Sequence, residues 1–509
     1  MAGKKLFMAV DLGTSFVKTG VYDLEGKLHA GASEAVKDER PGPGMFIQRG
    51  DMLYSSVLNC LKKTVQALGE EAADVCAMAF TGQMAGSIGV DETWGDVTGW
   101  SCTMDSRYLP YADKQREEFA DEMFSIGGTN APVMCSKYDW FKNDFPAEHA
   151  RIAKYLLLNG YMIGRMSKQK IDQAKIDATL ITWTGLADIA NHQWSEKLCK
   201  DMGVDMALLP EITSSTTIGG QLEESLAREL GLKPGLPLVM GAGDKVSGCV
   251  GAAVLGEGEM IFEASSYGAI SCLVDEARLD AQKRNYDIIS AADGRLYYAH
   301  KYIQGSGIVI DWFAKEFFGG ETDTKAAFRK AEELAAQVTP GSEHLVSIGL
   351  LSGSAMPFDS EVRGMFLGHS LNHTLGHFYR ALLEGFSYDL ALTLRSICAQ
   401  YPQYGTREIK LIGGGAKSSV WPQMLADVTG HTFRLLDRDD VALWGAALLA
   451  AAGVGALDDL EDVARRRVQT TRAFIPREEN TRIYAHYIEF YEHCMHQMHD
   501  LYARLNRLA

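Results

Sequence analysis

Short apolar runs separated by glycine turns make up the first forty residues of the chain. MAVDLG ends on an acid, FVKTGVYDLEG alternates apolar and polar positions into a turn, and KLHAGASEAV follows. This pattern predicts three β-strands joined by tight turns. Residues 51–68 then place apolar side chains at helical spacing, before the apolar run VCAMAFTG. Strands that alternate with helices predict an α/β architecture with a mixed sheet.

Three later segments have equally clear patterns. LIGGGAKSSVWPQMLADVTG (411–430) predicts a strand, a triple-glycine turn and a helix that starts near residue 418 or 419. VALWGAALLAAAGVGAL (441–457) falls below the ~20 apolar residues of a membrane span and is dominated by Ala and Gly, so it predicts a buried helix. From residue 478 onward, the chain predicts a long amphipathic helix.

Residues 8–23 and 260–275 share one pattern. Each segment has an apolar triplet, an acid (Asp11 or Glu263), a hydroxyl-rich turn and an apolar stretch that closes on Asp. The identities are few, so two unrelated hairpins remain an alternative. A true repeat would give two lobes that each begin with a hairpin, and facing NH-rich turns would hold a polyphosphate between them.

Composition narrows the class of protein. A chain of 509 residues exceeds what one core usually supports, which predicts two domains. The net charge of −16 argues against a nucleic-acid binder. Nine cysteines without a C-x-x-C pair suit a reducing cytoplasm, and the apolar run at residues 6–10 is too short for the roughly 7–15 residues of a secretory core. We expect a cytoplasmic protein that acts on small molecules, without nucleic-acid or membrane partners.

Most familiar catalytic patterns are missing from the sequence. It contains no Walker G-x-x-x-x-G-K-[ST], no G-x-G-x-x-G, no H-E-x-x-H and no G-x-S-x-G. DLGTSFVK (11–18) remains, and its turn would offer NH groups and hydroxyls to an anion while Asp11 holds Mg²⁺ through water. GAGDKVSGCVGAA (241–253) sets Asp244 among small residues, either to meet a ligand in a cleft or in a tight turn that faces water.

Several motifs in a fixed order resemble the FGGY carbohydrate kinases, a family of the actin-like superfamily. They are DLGTSFVK, TGQMAG (81–86), MDSR (104–107), SKYDWFKNDFP (136–146), GAGDKVSGCVGAA, GMFLGHSLNHTLGHFYRALLEG (364–385), LIGGGAKSSVWPQMLADVTG and VALWGAALLA. The resemblance covers nearly the whole chain. It implies two RNase H-like α/β lobes around a central cleft, at residues 1–252 and 253–509, with the last helix a candidate for packing across the lobes.

The same resemblance implies roles for individual residues. Asp244 becomes the catalytic base, which fits a reaction in which an attacking hydroxyl must lose its proton. Asp11 and Asp244 become the carboxylates that organise Mg²⁺. The phosphate and adenosine contacts of ATP fall on Gly13, Thr14, Ser15, Lys18, Ser265, Ser266, Gly268, Gly305, Gly307, Gly414, Gly415 and Ser418. Family members are often dimers, so a homodimer is a further expectation.

The sugar-side positions are Gln83, Met84, Asp105, Arg107, Asp244 and Lys245. They are most similar to the xylulokinase branch, so we expect an ATP-dependent kinase that converts D-xylulose to D-xylulose 5-phosphate. Ala85, Thr103 and Lys245 depart from that branch. The alternatives are a kinase for another pentulose, a deoxysugar or a gluconate-like acid, or, in a different class, an actin- or chaperone-like ATPase.

Lys245 allows a sharper hypothesis. An ammonium next to the base would lower the pKa of that base and would also pair with a carboxylate on the substrate, which favours a sugar acid. The alternative is that Lys245 turns away to a partner at the surface.

Overall fold

The computed structural model describes residues 5–318, 324–351, 353–356, 358–359, 361–405 and 407–508. The first four residues of the predicted first lobe and the last residue of the second lie outside this part of the chain. Among the described residues, no helix combines the length and the apolar character that crossing a membrane needs.

The first half of the chain alternates strands and helices. Its strands are β1 (Leu6–Leu12), β2 (Phe16–Asp23), β3 (Leu28–Ala35), β4 (Val75–Gly82), β5 (Gly86–Val90), β6 (Ser101–Cys102), β7 (Lys154–Leu156), β8 (Lys175–Asp177), β9 (Ala187–Asp188), β10 (Gln193–Trp194), β11 (Glu211–Thr213), β12 (Ile218–Gln221) and β13 (Pro237–Val239). Its helices are α1 (Gly50–Leu68), α2 (Leu109–Gly127), α3 (Val133–Asp144), α4 (Pro146–His149), α5 (Leu158–Ser167), α6 (Glu196–Asp201), α7 (Glu224–Leu230) and α8 (Asp244–Gly251).

The second half repeats the alternation. Its strands are β14 (Met260–Glu263), β15 (Gly268–Val274), β16 (Asp287–Ser290), β17 (Tyr297–Ile303), β18 (Val346–Ile348), β19 (Ser354–Ala355), β20 (Phe358–Asp359), β21 (Met365–Leu367), β22 (Ile409–Ile412), β23 (Phe433–Leu436) and β24 (Thr470–Phe474). Its helices are α9 (Ser306–Phe318), α10 (Thr324–Ala335), α11 (Leu375–Gln400), α12 (Trp421–Thr429), α13 (Val441–Gly453), α14 (Leu460–Arg467) and α15 (Glu478–Leu505).

Two large sheets share one topology. The first has the strand order β12-β13-β4-β1-β2-β3, and the second has the order β16-β17-β15-β14-β22-β23-β24. In the first sheet, β1 pairs antiparallel with β2 and parallel with β4, which is parallel to β13. In the second, β14 pairs antiparallel with β15 and parallel with β22, which is parallel to β23. The hairpins β1–β2 and β14–β15 confirm the internal repeat seen in the sequence.

Helices α8 and α13 cross between the two sheets. The side chains of α8, a first-half helix, face β14 and β15 of the second sheet around a small cavity. Helix α13 comes from the second half, yet its Trp444, Ala447 and Leu448 join Phe7 and Ala9 of β1 in one buried cluster. We keep residues 1–252 and 253–509 as the proposed lobes, with the difference that α13 packs on the first sheet.

Helix α15 packs within the second half, on α11 and α12. Its buried residues recur every three or four positions, from Tyr484 to Met498. The Tyr484 hydroxyl donates to Glu384 at 2.7 Å, and Glu384 also accepts from Arg380 at 2.8 Å. Among the helices described, α13 rather than α15 therefore joins the second half to the first sheet.

Two helices can be compared directly with the segments predicted for them. The apolar segment at residue 441 forms the buried helix α13, as its Ala-rich composition predicts. The helix after the triple glycine begins at Trp421 instead of residue 418 or 419, because residues 414–417 form a 3₁₀ turn first. The Ser418 hydroxyl then accepts from the backbone N–H of Trp421, the first residue of the new helix, at 3.1 Å.

Candidate active site

The first predicted phosphate loop, Gly13–Ser15, joins β1 to β2. Its backbone is fixed from outside, because the side-chain amide of Gln48 donates to the Thr14 carbonyl at 2.8 Å. Asp11 lies on β1 directly opposite Lys18 of β2. Lys18 is exposed and Asp11 is half-buried, and as directly opposite residues of an antiparallel pair they lie on the same face of the sheet.

The second predicted phosphate loop, between β14 and β15, is bound to the start of α9. The Ser265 and Ser266 carbonyls accept from the N–H groups of Gly307 (3.2 Å) and Ile308 (3.0 Å). The Gly268 N–H donates to the Ser306 hydroxyl at 2.7 Å. The structure thus brings the predicted residues Gly305 and Gly307 against the loop 265–268, although they lie about forty positions later in the chain.

The predicted adenosine segment lies beside the same loop. The Gly415 N–H donates to the Ala264 carbonyl at 2.8 Å, one residue before Ser265. Gly414 faces open space, since a Cβ added there would meet no atom within 4 Å. The segment therefore has room for a flat group close to its backbone.

Asp244 is the first residue of α8 and follows a tightly constrained glycine loop. Gly241 has φ +66°, and a Cβ there would lie 1.8 Å from the Phe80 carbonyl oxygen, so only glycine fits. The Gly243 N–H donates to the Thr179 hydroxyl oxygen at 2.9 Å. Thr179 is held in turn by the fully buried carboxylate of Asp177, which also accepts from Ser215. The position of Asp244 thus depends on a buried polar network.

Carboxylates from both halves converge around Asp244. Burial raises the pKa of Asp11 to about 7, and the negative charge of Asp244 adds to that shift. Burial also raises the pKa of Asp244, an effect that Lys245 opposes and Glu263 reinforces. Lys245 does act to lower the pKa of Asp244, as the sequence hypothesis expects. Burial has the larger effect, however, so the net pKa of Asp244 is raised.

Lys245 reaches across to the second half. Its Nζ donates to Glu263 Oε2 at 2.7 Å, and its side chain is 13% exposed. Burial by itself would lower the pKa of Lys245, but the Glu263 and Asp244 carboxylates raise it above its ordinary value. Lys245 therefore stays charged, and it does not turn to the surface.

Two predicted sugar-side residues follow β4. The Gln83 side-chain oxygen accepts from the Trp100 indole at 3.2 Å, whereas its Nε2 is buried with no partner among the described residues. Met84 packs on the glycine loop before the base, since a Cβ at Gly243 would lie 2.5 Å from its Cγ. An unsatisfied amide next to the loop of the predicted base favours a polar ligand at this position.

The other two sugar-side residues form an ion pair. Arg107 donates to both carboxylate oxygens of the fully buried Asp105, at 2.8 and 2.7 Å, and stacks 4.7 Å from the Trp140 ring. The buried ammonium of Lys137 contacts Ser101, which itself donates to Asp105. Burial opposes these contacts, yet together they hold the pKa of Asp105 below its usual range. Asp105 thus has few free lone pairs, and it positions Arg107.

Sequence reasoning missed three residues of this site. Glu263 was visible as the counterpart of Asp11 in the internal repeat, but its pairing with Lys245 depends on how α8 packs against β14. Thr179 and Asp177 lie about 65 residues before the base, in a segment without a recognisable pattern.

The hydroxyl of Thr179 gives a direct test of how the loop is positioned. Thr179→Val leaves the Gly243 N–H unpaired, at a cost of about 1–3 kcal/mol. We expect kcat to fall about tenfold with little change in KM, because 1.4 kcal/mol corresponds to a factor of ten. Thr179→Ser keeps the hydroxyl and is expected to retain activity. Equal losses in both variants, measured by steady-state kinetics, would contradict this role.

Comparisons with known proteins identify the family of the chain. The family models described as "FGGY family of carbohydrate kinases", N-terminal and C-terminal domain, match residues 6–251 and 267–454. A xylulose kinase of Staphylococcus epidermidis is 26% identical over 506 residues, with 99% of each chain covered. A gluconokinase of Bacillus licheniformis is 25% identical over 488 residues, covering 94% of this chain and 93% of the relative.

A solved structure of a gluconate kinase from Lactobacillus acidophilus has the same fold, with a TM-score of 0.90 at 20% sequence identity. It covers 99% of this chain and all of its own. The two family models together span most of the sequence, and their order follows the two sheets. The chain therefore belongs to the FGGY family of carbohydrate kinases.

Proposed function

We propose that this FGGY kinase transfers the γ-phosphoryl group of ATP to D-xylulose and releases D-xylulose 5-phosphate and ADP. Membership of the family makes the chain an ATP-dependent sugar kinase. The choice of a neutral ketopentose rests on the pairing of charges in the site and on the sugar-side residues Gln83, Met84 and Arg107.

The paired cations are the observation that carries this choice. Arg107 is bound by both oxygens of Asp105, and Lys245 is bound to Glu263 beside the second phosphate loop. A substrate carboxylate would need a cation on the sugar side, where Arg107 already gives its donors to both oxygens of Asp105, whereas Lys245 lies beside the second phosphate loop. Hydroxyl groups need only donors and acceptors such as the Gln83 amide. The site therefore favours a neutral polyol over an acid.

Asp244 would act as the base in this reaction. Its carboxylate accepts the proton of the sugar hydroxyl while the hydroxyl oxygen attacks the γ-phosphorus. The two loops would bind the phosphates through backbone N–H groups and hydroxyls. Closure of the cleft would exclude water and limit ATP hydrolysis.

Mg²⁺ fits the carboxylates at this position. Asp11 and Asp244 are both half-buried, and burial together with the negative charge of Asp244 raises the pKa of Asp11. Over the described ranges, no three His, Cys, Asp or Glu side chains form a ready-made metal site. Mg²⁺ typically uses one or two carboxylates together with water and phosphate oxygens, so Asp11 and Asp244 would hold it. When bound, it would neutralise charge on the phosphates.

D-Gluconate is the second candidate substrate. Its support is the gluconokinase of Bacillus licheniformis at 25% identity, close to the 26% of the xylulose kinase. The predicted cytoplasmic location and the predicted homodimer stay predictions.

A substrate panel tests the proposal. Sugar-dependent ADP release should be measured with D-xylulose, D-ribulose, L-ribulose, glycerol and D-gluconate, and the phosphorylated carbon should be assigned by NMR. We expect D-xylulose to give the highest kcat/KM, at least about tenfold above D-gluconate, since a carboxylate without a free cation loses more than 1.4 kcal/mol. A higher kcat/KM for D-gluconate would contradict the proposed substrate.

A further inference from the structure

The Lys245 ammonium has more hydrogen-bond donors than the protein uses. It carries three N–H donors, and among the described residues the structure gives Nζ one hydrogen-bond acceptor, Glu263. The Tyr302 ring lies 6.0 Å away and adds only a weak cation–π contact. A side chain that is 13% exposed leaves little room for bulk water to satisfy the remaining donors. These donors are thus available to a ligand.

The position of the ammonium limits which part of the reactants it can meet. Lys245 follows the predicted base on the first turn of α8. Its partner Glu263 ends β14, two residues before the second phosphate loop begins at Ser265. The Lys245 side chain therefore links the turn that carries the base to the strand that leads into that loop. In a phosphoryl transfer the moving group travels from the loop-bound nucleotide to the hydroxyl beside the base.

From this juxtaposition we propose that Lys245 binds the transferring phosphoryl group and stabilises it in the transition state. The inference rests on the sugar-kinase reaction described above, and it adds a catalytic residue to it. Glu263 holds the ammonium in place. The ammonium in turn neutralises the Glu263 carboxylate, so the charge of Glu263 does not repel the phosphates. Two preorganised N–H donors then face the equatorial phosphoryl oxygens, where charge is spread during transfer.

Lys245 neither gains nor loses a proton in this step. The sugar oxygen forms a bond to the γ-phosphorus while the bond from that phosphorus to the β,γ-bridging oxygen breaks. The hydroxyl proton passes to Asp244, and the bridging electron pair leaves with ADP. The ammonium remains protonated throughout and contributes hydrogen bonds and charge.

The test compares Lys245→Met with Glu263→Gln. Glu263→Gln breaks the ion pair but leaves the ammonium, so we expect it to lose less than about tenfold in kcat, the cost of one imperfectly held donor. Lys245→Met removes the charge, and we expect kcat to fall about 10²-fold, as when a transition-state donor is removed. The KM for the sugar should change little, because the lost contact forms only in the transition state.

The double variant K245M/E263Q separates the loss of the ammonium from misfolding caused by an unpaired Glu263 carboxylate. It removes both charges and leaves no unpaired carboxylate, and we expect its kcat to match that of K245M alone. ADP with aluminium fluoride and sugar mimics the transferring phosphoryl group. Its binding should weaken in K245M and in K245M/E263Q, while ADP alone should bind as in wild type. If Lys245 only joined the two halves, binding of this mimic would stay as in wild type.

Two results would overturn the proposal. Equal losses in K245M and E263Q would make the ion pair merely structural. A raised sugar KM with unchanged kcat in K245M would place Lys245 on the sugar instead. Every assay uses the sugar with the highest wild-type kcat, so an error in assigning D-xylulose leaves the Lys245 comparison intact.

Discussion

Asp244→Asn is expected to lower kcat about 10³-fold, within the range that a positioned general base contributes. The asparagine side chain has nearly the same shape, so the glycine loop and the start of α8 should keep their conformation. It cannot take up the proton of the attacking hydroxyl, however. Sugar-dependent ADP release measured at saturating substrate gives the value directly.

Stability should move in the opposite direction from activity. Burial raises the pKa of Asp244, so the ionised carboxylate destabilises the folded state. The neutral amide removes that cost, and we expect an apparent Tm at least equal to that of wild type, as is common where a site trades stability for function. Asp172→Asn, at an exposed position, is the matched control and should change neither quantity. Near-normal turnover in D244N would rule out Asp244 as the base.

The sequence predicted the parts of this fold that depend on local pattern. The strands of both hairpins, helix α1 and the buried helix at residue 441 follow from periodicity and composition. The internal repeat also paired Asp11 with Glu263, and the two strands they occupy, β1 and β14, hold equivalent places in the two sheets. Local patterns thus predicted both hairpins, several of the helices and the equivalence of the two halves.

Contacts between distant segments were beyond the reach of local patterns. The Lys245–Glu263 pair depends on α8 packing against the second sheet, and the Thr179–Gly243 hydrogen bond joins two loops 64 positions apart. Asp105 is another case, because MDSR predicts a sugar contact while the structure gives both its oxygens to Arg107. A motif shows which residue types are present, but burial determines which of their atoms remain free.

The crossing of α8 and α13 links the fold to the predicted chemistry. A Cβ at Gly251 would lie 1.9 Å from the Val441 carbonyl oxygen, and a Cβ at Gly445 would lie 1.9 Å from the Ser247 carbonyl oxygen. Backbone thus touches backbone at this crossing, and rotating a side chain cannot relieve the clash. Because α8 begins with Asp244, any separation of the two helices would also displace the base.

Gly445→Ala is therefore expected to impair both stability and catalysis. Overpacking against backbone should cost about 3 kcal/mol, the upper end for core insertions, and kcat should fall at least about tenfold because α8 moves. Gly248→Ala is the matched control, since its Cβ would lie 3.8 Å from the nearest atom, a Val441 methyl group. Alanine in an open helical position gains up to about 1 kcal/mol, so G248A should keep or raise the Tm. Thermal melts and kcat of the two variants measure the difference. If G445A melts and turns over like G248A, the helices do not cross at backbone contact, and the coupling between the crossing and the base is wrong.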